Sequence, residues 1–322
     1  MRAAVYTRYG PPEVVKIKEV ETPVPRDGEV LVKVAATTVN RTDSGFRSAE
    51  YFVSRFWSGL LRPKYKILGC EFSGEVHAVG NNVSGIKVGD RVFGYNDEKF
   101  GGHAEYLVAP VSGAIATIPE SFSFEAAAAL TEGAHYALGN IRAAKVKEGD
   151  NVLVYGATGA IGSAAVQLLK YFGAKVTAVG NTRNMGLIQS LGADEVIDYQ
   201  NEDFTQTSQK FSFVFDAVGK SSFGQCKPLL TPKGIYVSTE LGKNGENIFQ
   251  ALFTPLFGGK KVIFPIPSMK KADIELLQTM AAEGKFKPVI DRVYPLEQIV
   301  EAYRYVETGE KTGNVIIRIG EV

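Results

Sequence analysis

One stretch of this chain has residue types and spacing suited to holding a nucleotide: Gly156-Ala157-Thr158-Gly159-Ala160-Ile161-Gly162. It follows an unbroken apolar run, Val152-Leu153-Val154-Tyr155. It opens a segment, Gly162 to Phe172, that reads as a helix closed by Gly173. Buried strand, glycine turn and helix in that order are the context a dinucleotide fingerprint requires. Read from Ala157, the spacing is G-x-G-x-x-G with alanine in the first place. Gly159 then lets the backbone approach a pyrophosphate, and Gly162 lets the helix pack close to the strand. The free N–H groups and positive dipole end of the helix start hold the phosphates. Gly156, Ala157, Thr158, Gly159, Ala160, Ile161 and Gly162 are therefore candidate cofactor-binding residues. A tight turn without a ligand has the same local pattern, and the flanking strand and helix favour the binding reading.

The next strand tip separates one nicotinamide cofactor from the other. An NAD site places a carboxylate there to hold the ribose 2′-hydroxyl. Here the tip reads Gly180-Asn181-Thr182-Arg183-Asn184, with no carboxylate. Asn181, Thr182 and Arg183 can instead donate to a 2′-phosphate, Arg183 through a fixed charged fork. The expected cofactor is NADPH; the alternative is that Arg183 sits in a solvated loop.

Around this motif the chain divides. At 322 residues it is long enough for two ordinary domains. Short strands with glycine-rich turns fill the first third: Val30 to Ala35, Gly74 to Val79, Val88 to Gly94 and Ala104 to Val108. An alanine-rich helix is expected over Phe124 to Leu130. From Asn151 strands and helices alternate, which implies a doubly wound parallel sheet. After Pro267 come a helix (Ala272 to Ala282), a short strand near Asp291, a helix (Leu296 to Val306) and a last strand (Val315 to Ile319). Pattern alone leaves open whether this tail extends the parallel sheet or returns to the first part. A net charge of +1 points to neither nucleic acid nor an anionic membrane as partner. No apolar run reaches membrane-spanning length, and the N-terminus lacks a signal-peptide h-region. Two cysteines, Cys70 and Cys226, are too few for a disulfide scaffold or a four-cysteine zinc lobe. A reducing, cytoplasmic compartment is the expectation.

Several segments together resemble the medium-chain dehydrogenase/reductase superfamily, in its zinc-free quinone oxidoreductase and enone reductase branch. They are Val39-Asn40-Arg41-Thr42-Asp43, Leu68-Gly69-Cys70-Glu71-Phe72-Ser73-Gly74-Glu75-Val76, Val88-Gly89-Asp90-Arg91-Val92, Gly102-His103-Ala104-Glu105-Tyr106, the glycine turn with Gln167-Leu168, Leu191-Gly192-Ala193-Asp194, and Phe215-Asp216-Ala217-Val218-Gly219. The resemblance implies an α/β chain in which a Rossmann domain (123–267) is inserted into a β-rich GroES-like catalytic domain (1–122 with the return segment 268–322). It implies a homodimer, joined through a sheet edge of the nucleotide domain, for which the apolar run Ala251 to Phe257 is a candidate. It puts Asn40 facing the nicotinamide or the substrate carbonyl, Asp43 ordering that loop, and Thr131 near the nicotinamide, although Thr131 also suits a helix N-cap. Tyr199, Val218, Gly219 and Asn314 join the cofactor set. The stretch Phe46 to Lys66, with Tyr51, Phe52, Phe56, Trp57 and Tyr65, corresponds to a loop that walls the substrate cleft, where a plain packing role is the alternative.

Zinc-dependent relatives carry cysteine where this chain has Arg41 and histidine where it has Cys70. Catalytic zinc needs three cysteine, histidine or carboxylate ligands, so no metal is expected. His77, His103 and His135 show no ligand spacing and are expected at the surface. Without a Lewis acid, alcohol oxidation is hard. Hydride addition to a quinone or an α,β-unsaturated carbonyl remains feasible, with a small-molecule substrate and with Tyr51, Tyr65 or water giving the proton. The competing classes are a non-catalytic NADPH-binding module, an NAD(P)-dependent alcohol dehydrogenase-like protein, and a short-chain reductase. The last lacks support, because no Tyr-x-x-x-Lys pair follows the first βα unit.

Overall fold

The computed structural model describes residues 1–50, 55–266 and 268–320, with backbone only at residue 57. The strands of the first part are β1 (Arg2–Val5), β2 (Lys16–Glu19), β3 (Glu29–Val39), β4 (Glu71–Val79), β5 (Arg91–Tyr95), β6 (Tyr106–Pro110) and β7 (Ala114–Thr117). There follow β8 (Asn151–Tyr155), β9 (Lys175–Gly180), β10 (Glu195–Asp198), β11 (Phe211–Asp216), β12 (Leu230–Ser238) and β13 (Lys261–Val262), and finally β14 (Ile290–Pro295) and β15 (Asn314–Arg318). Two compact units result, Met1–Glu132 with Met269–Val322, and Gly133–Ser268.

In the first unit β1 and β2 form a two-stranded sheet, and the other described strands form a second sheet in the order β14-β15-β3-β4-β5-β7, with β6 also on β3. Only β14 and β15 run parallel; the other pairs are antiparallel. The tail thus returns to the first part of the chain, β15 lying directly against β3. Alternating inward residues (Val30, Val32, Phe72, Val76, Val92, Leu107, Val315, Ile317) make a core that the helix Ile299–Glu307 covers with Ala302, Tyr303 and Val306. Fully buried Arg47 reaches the Gly10 carbonyl and the Glu307 carboxylate and lies 5.0 Å from the Tyr303 ring centre. Strand β3 runs past the expected Ala35 because Ala36, Thr37, Thr38 and Val39 are buried and still paired, until Asn40 starts the helix Arg41–Ser48.

The second unit is a sheet in the order β10-β9-β8-β11-β12-β13, parallel throughout. The α/β class and doubly wound sheet therefore hold. The alanine-rich segment differs from expectation. It forms a short helix, Phe124–Ala128, capped by the Ser123 hydroxyl. A second helix, Glu132–Ala144, then begins after a break at Ala129–Thr131. Among the described residues no helix is long and apolar enough to cross a membrane.

Candidate active site

The glycine turn leaves β8 and enters the helix Ala160–Tyr171. Its three glycines answer to different neighbours. Gly156 has φ +81°, and a Cβ there would lie 2.5 Å from Val218 Cγ1. A Cβ on Gly162 would lie 2.1 Å from the Gly156 carbonyl oxygen, so strand turn and helix touch through backbone alone. Gly159 is open, its nearest neighbour being the same oxygen at 3.8 Å. The amides of Gly156 and Ala157 both donate to the Val179 carbonyl. Those of Ala160, Ile161 and Gly162, in the first turn of the helix, have no preceding carbonyl in helical register and remain as anion donors. Thr158 is half-buried beside Gly180.

At the tip of β9, Asn181 Oδ1 accepts the Asn184 amide at 3.2 Å, which leaves the side-chain NH2 as a donor. Arg183 is exposed. Thr182 differs from expectation, because its hydroxyl donates to Asp198 at the end of β10. Asp198 also accepts from Asn201 Nδ2 (2.7 Å) and the Gln200 amide (3.0 Å). The Thr182 hydroxyl leads these donors in holding the Asp198 carboxyl below its ordinary range. The tip therefore does meet a carboxylate, brought by the neighbouring strand, but its charge is turned onto the protein's own donors. Tyr199, half-exposed, has its amide on the Gly180 carbonyl and its ring 6.5 Å from that of Tyr155.

In the first unit Asn40 and Thr131 meet on one buried carboxylate, Glu71. Its Oε2 accepts from Thr38 Oγ1 (2.6 Å) and Asn40 Nδ2 (2.8 Å). Its Oε1 accepts from the Thr131 hydroxyl (2.7 Å) and the amides of Thr131 (3.0 Å) and Glu132 (2.6 Å). This explains the helix break: Glu71 takes the amides at the start of Glu132–Ala144 that a continuous helix would bond internally. Asn40 Nδ2 also donates to Thr38 Oγ1 at 2.7 Å, so both amide protons of Asn40 and the hydroxyl proton of Thr131 are engaged. The Thr131 hydroxyl is given to Glu71 and not to the N-cap role that was its alternative. Asp43 orders the loop, accepting the amides of Asn40 (3.0 Å) and Gly69 (2.9 Å).

Ligand-type atoms of Asp43, Cys70 and Glu132 lie within 4.8 Å of one another, all buried. The Cys70 thiol donates to Glu132 Oε2 at 3.4 Å. Burial, then Glu132, Asp43 and Glu71, pushes the Cys70 thiol well up, and burial, then Glu71 and Asp43, does the same to the Glu132 carboxyl. The Asp43 oxygens already accept the Asn40 and Gly69 amides and Glu132 already accepts the Cys70 thiol, so the trio is engaged in the protein's own hydrogen bonds and is a poor match to a catalytic metal. It is Asn40, not Arg41, whose side chain meets Glu71; Arg41 is exposed on the first turn of its helix. The histidines also depart from expectation. Only His77 is exposed, while His103 and His135 are buried. His103 Nε2 lies 2.8 Å from the Thr38 carbonyl and Nδ1 lies 3.4 Å from the Tyr303 hydroxyl, the polar partners a buried imidazole needs.

Residues 26–120 match the family described as alcohol dehydrogenase GroES-like domain, and residues 191–317 the family described as zinc-binding dehydrogenase. A 2-methylene-furan-3-one reductase of Solanum lycopersicum is 34% identical, over 98% of this chain and 79% of its own length. A quinone oxidoreductase of Homo sapiens is 30% identical, over 98% and 97%. The solved structure of the quinone oxidoreductase from Coxiella burnetii matches with a TM-score of 0.88 at 30% identity, covering 99% of both chains. The chain belongs to the medium-chain dehydrogenase/reductase superfamily. It is an oxidoreductase of the superfamily's quinone oxidoreductase and enone reductase branch, with a nucleotide-binding domain for a nicotinamide cofactor.

Of this oxidoreductase's remaining candidates, Tyr51 lies outside the described residues, as do Phe52 and the Trp57 side chain. Tyr65 is half-buried against the core, its ring 5.6 Å from that of Phe100 with the Lys64 ammonium 5.0 Å above it. Asn314 is buried; its Nδ2 donates to the Val289 carbonyl at 3.0 Å, and its Oδ1 has no partner. Sequence reasoning missed Glu71, Asp198 and Asp216 as organisers of these positions. Each is a buried or strand-end carboxylate; Glu71 and Asp216 stood in the motifs Leu68 to Val76 and Phe215 to Gly219 without a role, and Asp198 stood in none.

Proposed function

We propose that this oxidoreductase is an NADPH-dependent, zinc-independent reductase of quinones or α,β-unsaturated carbonyls. The observation that carries the reading is the open face at Gly159, beside the three unpaired amides of Ala160, Ile161 and Gly162. NADPH, when bound, supplies the hydride. The chain's own part is to hold it: those amides on the diphosphate, and Arg183, Asn181 Nδ2 and the Tyr199 hydroxyl on the 2′-phosphate. Val218, Gly219 and Asn314 are further cofactor residues, Asn314 through its unpartnered Oδ1, an acceptor suited to a ligand N–H. Asn40 and Thr131 line the reduction site in this reading, offering lone pairs rather than protons. Tyr51 and Tyr65 are the proposed proton donors, with water as the alternative source.

The test is NADPH oxidation with a panel of quinones, enones and enals, before and after exhaustive dialysis against a chelator. The expected result is turnover that survives the chelator, with no NADP-linked oxidation of ethanol. Ethanol oxidation that disappears on chelation, with no enone or quinone turnover, overturns the reading.

We also propose a homodimer in a reducing, cytoplasmic compartment, the latter because both cysteines are buried and unpaired. The helix Glu246–Phe253 and the turn after it expose Leu252 (64%), Leu256 (76%) and Phe257 (85%), along with Ile248, Phe249 and Phe253. Side chains of this size bury roughly 100–200 Å² each, which brings the patch near the ~800 Å² per partner of a standard interface. Strand pairing through β13 is obstructed, since the Val262 amide donates to Thr254 Oγ1 at 2.9 Å. Contact through the apolar helix face replaces it. Light scattering should show a dimer that Leu252→Glu with Phe253→Glu converts to a folded monomer; a monomeric wild type refutes the proposal.

A further inference from the structure

We propose that Asp216 is the positioning residue of the dinucleotide site, acting through the loop that follows it. This rests on the reading that the Gly156–Gly162 turn holds a dinucleotide. Asp216 ends β11 and pairs in register with Tyr155, the last residue before that turn. The Ala217 amide then donates to the Tyr155 carbonyl at 2.9 Å. The Asp216 carboxylate is buried and gathers the loop onto itself. Its Oδ1 accepts the amides of Val218 (3.1 Å), Gly219 (2.8 Å) and Lys220 (3.4 Å). Its Oδ2 accepts the Ser221 amide and hydroxyl (both 2.8 Å) and the Tyr236 hydroxyl (3.4 Å).

Four consecutive amides on one carboxylate fix the backbone of 218–221 in a single tight arc. The arc delivers Val218 against Gly156, close enough that a Cβ on that glycine would sit 2.5 Å from the valine methyl. Gly219 follows with φ +66° and no room for a side chain, because Glu240 Cγ would lie 2.3 Å from its Cβ. The glycine turn and the 218–219 arc are thus set against each other by one carboxylate beneath them. With every lone-pair direction facing the protein, Asp216 orients the arc rather than contacting the ligand.

Loosening this arc affects both nicotinamide cofactors alike, because Asp216 and its arc lie at the ends of β8 and β11, whereas the 2′-phosphate group of residues lies at β9 and β10. Asp216→Asn replaces one acceptor by an NH2 that faces the Ser221 or Val218 amide as donor against donor. Fluorescence titration should show NADPH and NADH each bound about tenfold or more weakly, by the same factor. kcat at saturating cofactor should stay within about threefold of wild type. Ser221→Ala removes one of the hydroxyl donors without opposing any amide. It should weaken both cofactors about threefold with an unchanged melting temperature. Asp216→Asn that binds both cofactors within about twofold of wild type, or weakens NADPH alone, overturns the proposal. If Asp216→Asn does not fold, unchanged binding by Ser221→Ala overturns it equally. A wild type that binds neither cofactor instead removes the dinucleotide reading, and this proposal with it.

Discussion

Gly159→Ala should abolish most dinucleotide affinity while leaving the melting temperature untouched, and Gly162→Ala should lower both. The contrast comes from where each new methyl group lands. At position 159 the nearest atom is 3.8 Å away, an ordinary contact, and the methyl points into open space. In the proposed site that space belongs to the diphosphate, so the methyl displaces the ligand and nothing else. At position 162 the methyl would lie 2.1 Å from a backbone oxygen and 2.8 Å from Ala157 Cα. Neither can rotate away, so the helix must lift from the strand. Overpacking of this kind costs about 1–3 kcal/mol of stability, and a lifted helix start moves the phosphate-binding amides. NADPH affinity should fall at least tenfold in both variants, on the order of 1.4 kcal/mol or more. Titration with thermal unfolding checks the pair. Equal melting-temperature losses, or an unaffected affinity in Gly159→Ala, would show that the open face is not a ligand site.

Arg183→Ala should raise the KM for NADPH roughly ten- to a hundredfold, equivalent to the ~1.5–3 kcal/mol of a charged hydrogen bond, and leave the KM for NADH within about twofold. Thr182 was an expected contributor, but its proton already lies on Asp198. That leaves Arg183, the Asn181 amide and the Tyr199 hydroxyl, among which only arginine brings charge. Because it is exposed, its contribution should also shrink with added salt. Steady-state kinetics with both cofactors, repeated at high ionic strength, checks this. A variant impaired equally with NADPH and NADH, or a wild type without preference, would return Arg183 to a solvated turn.

These two expectations rest on residues that sequence reading could reach, because a glycine turn between a strand and a helix is local. Gly156, Gly159 and Gly162 lie within one turn and its flanks, and their spacing carries the geometry. The carboxylates do not work this way. Glu71 collects donors from Thr38, Asn40, Thr131 and Glu132, which only the pairing of β3 with β4 and the start of a distant helix bring together. Asp198 meets Thr182 through the register of β9 with β10. The same cause hid the break at Ala129–Thr131: helix propensity runs straight through alanines, and the interruption answers to Glu71. His103 looked like a surface residue because nothing nearby in the chain signals its partners, Thr38 and Tyr303.

The place of β15 between β14 and β3 has a consequence for how the protein is made. During translation β3 to β7 emerge early and can pair, but the edge of β3 that takes Val315 to Arg318 stays bare until β15, far later in the chain, has emerged. The parallel sheet, whose strands all lie within Gly133–Ser268, can be complete before that moment. For a period on the order of seconds the nascent chain then carries a finished nucleotide-binding unit and, elsewhere in the chain, an unfinished sheet with an unpaired edge. Chaperone engagement in that interval should centre on residues 36–39, which face β15.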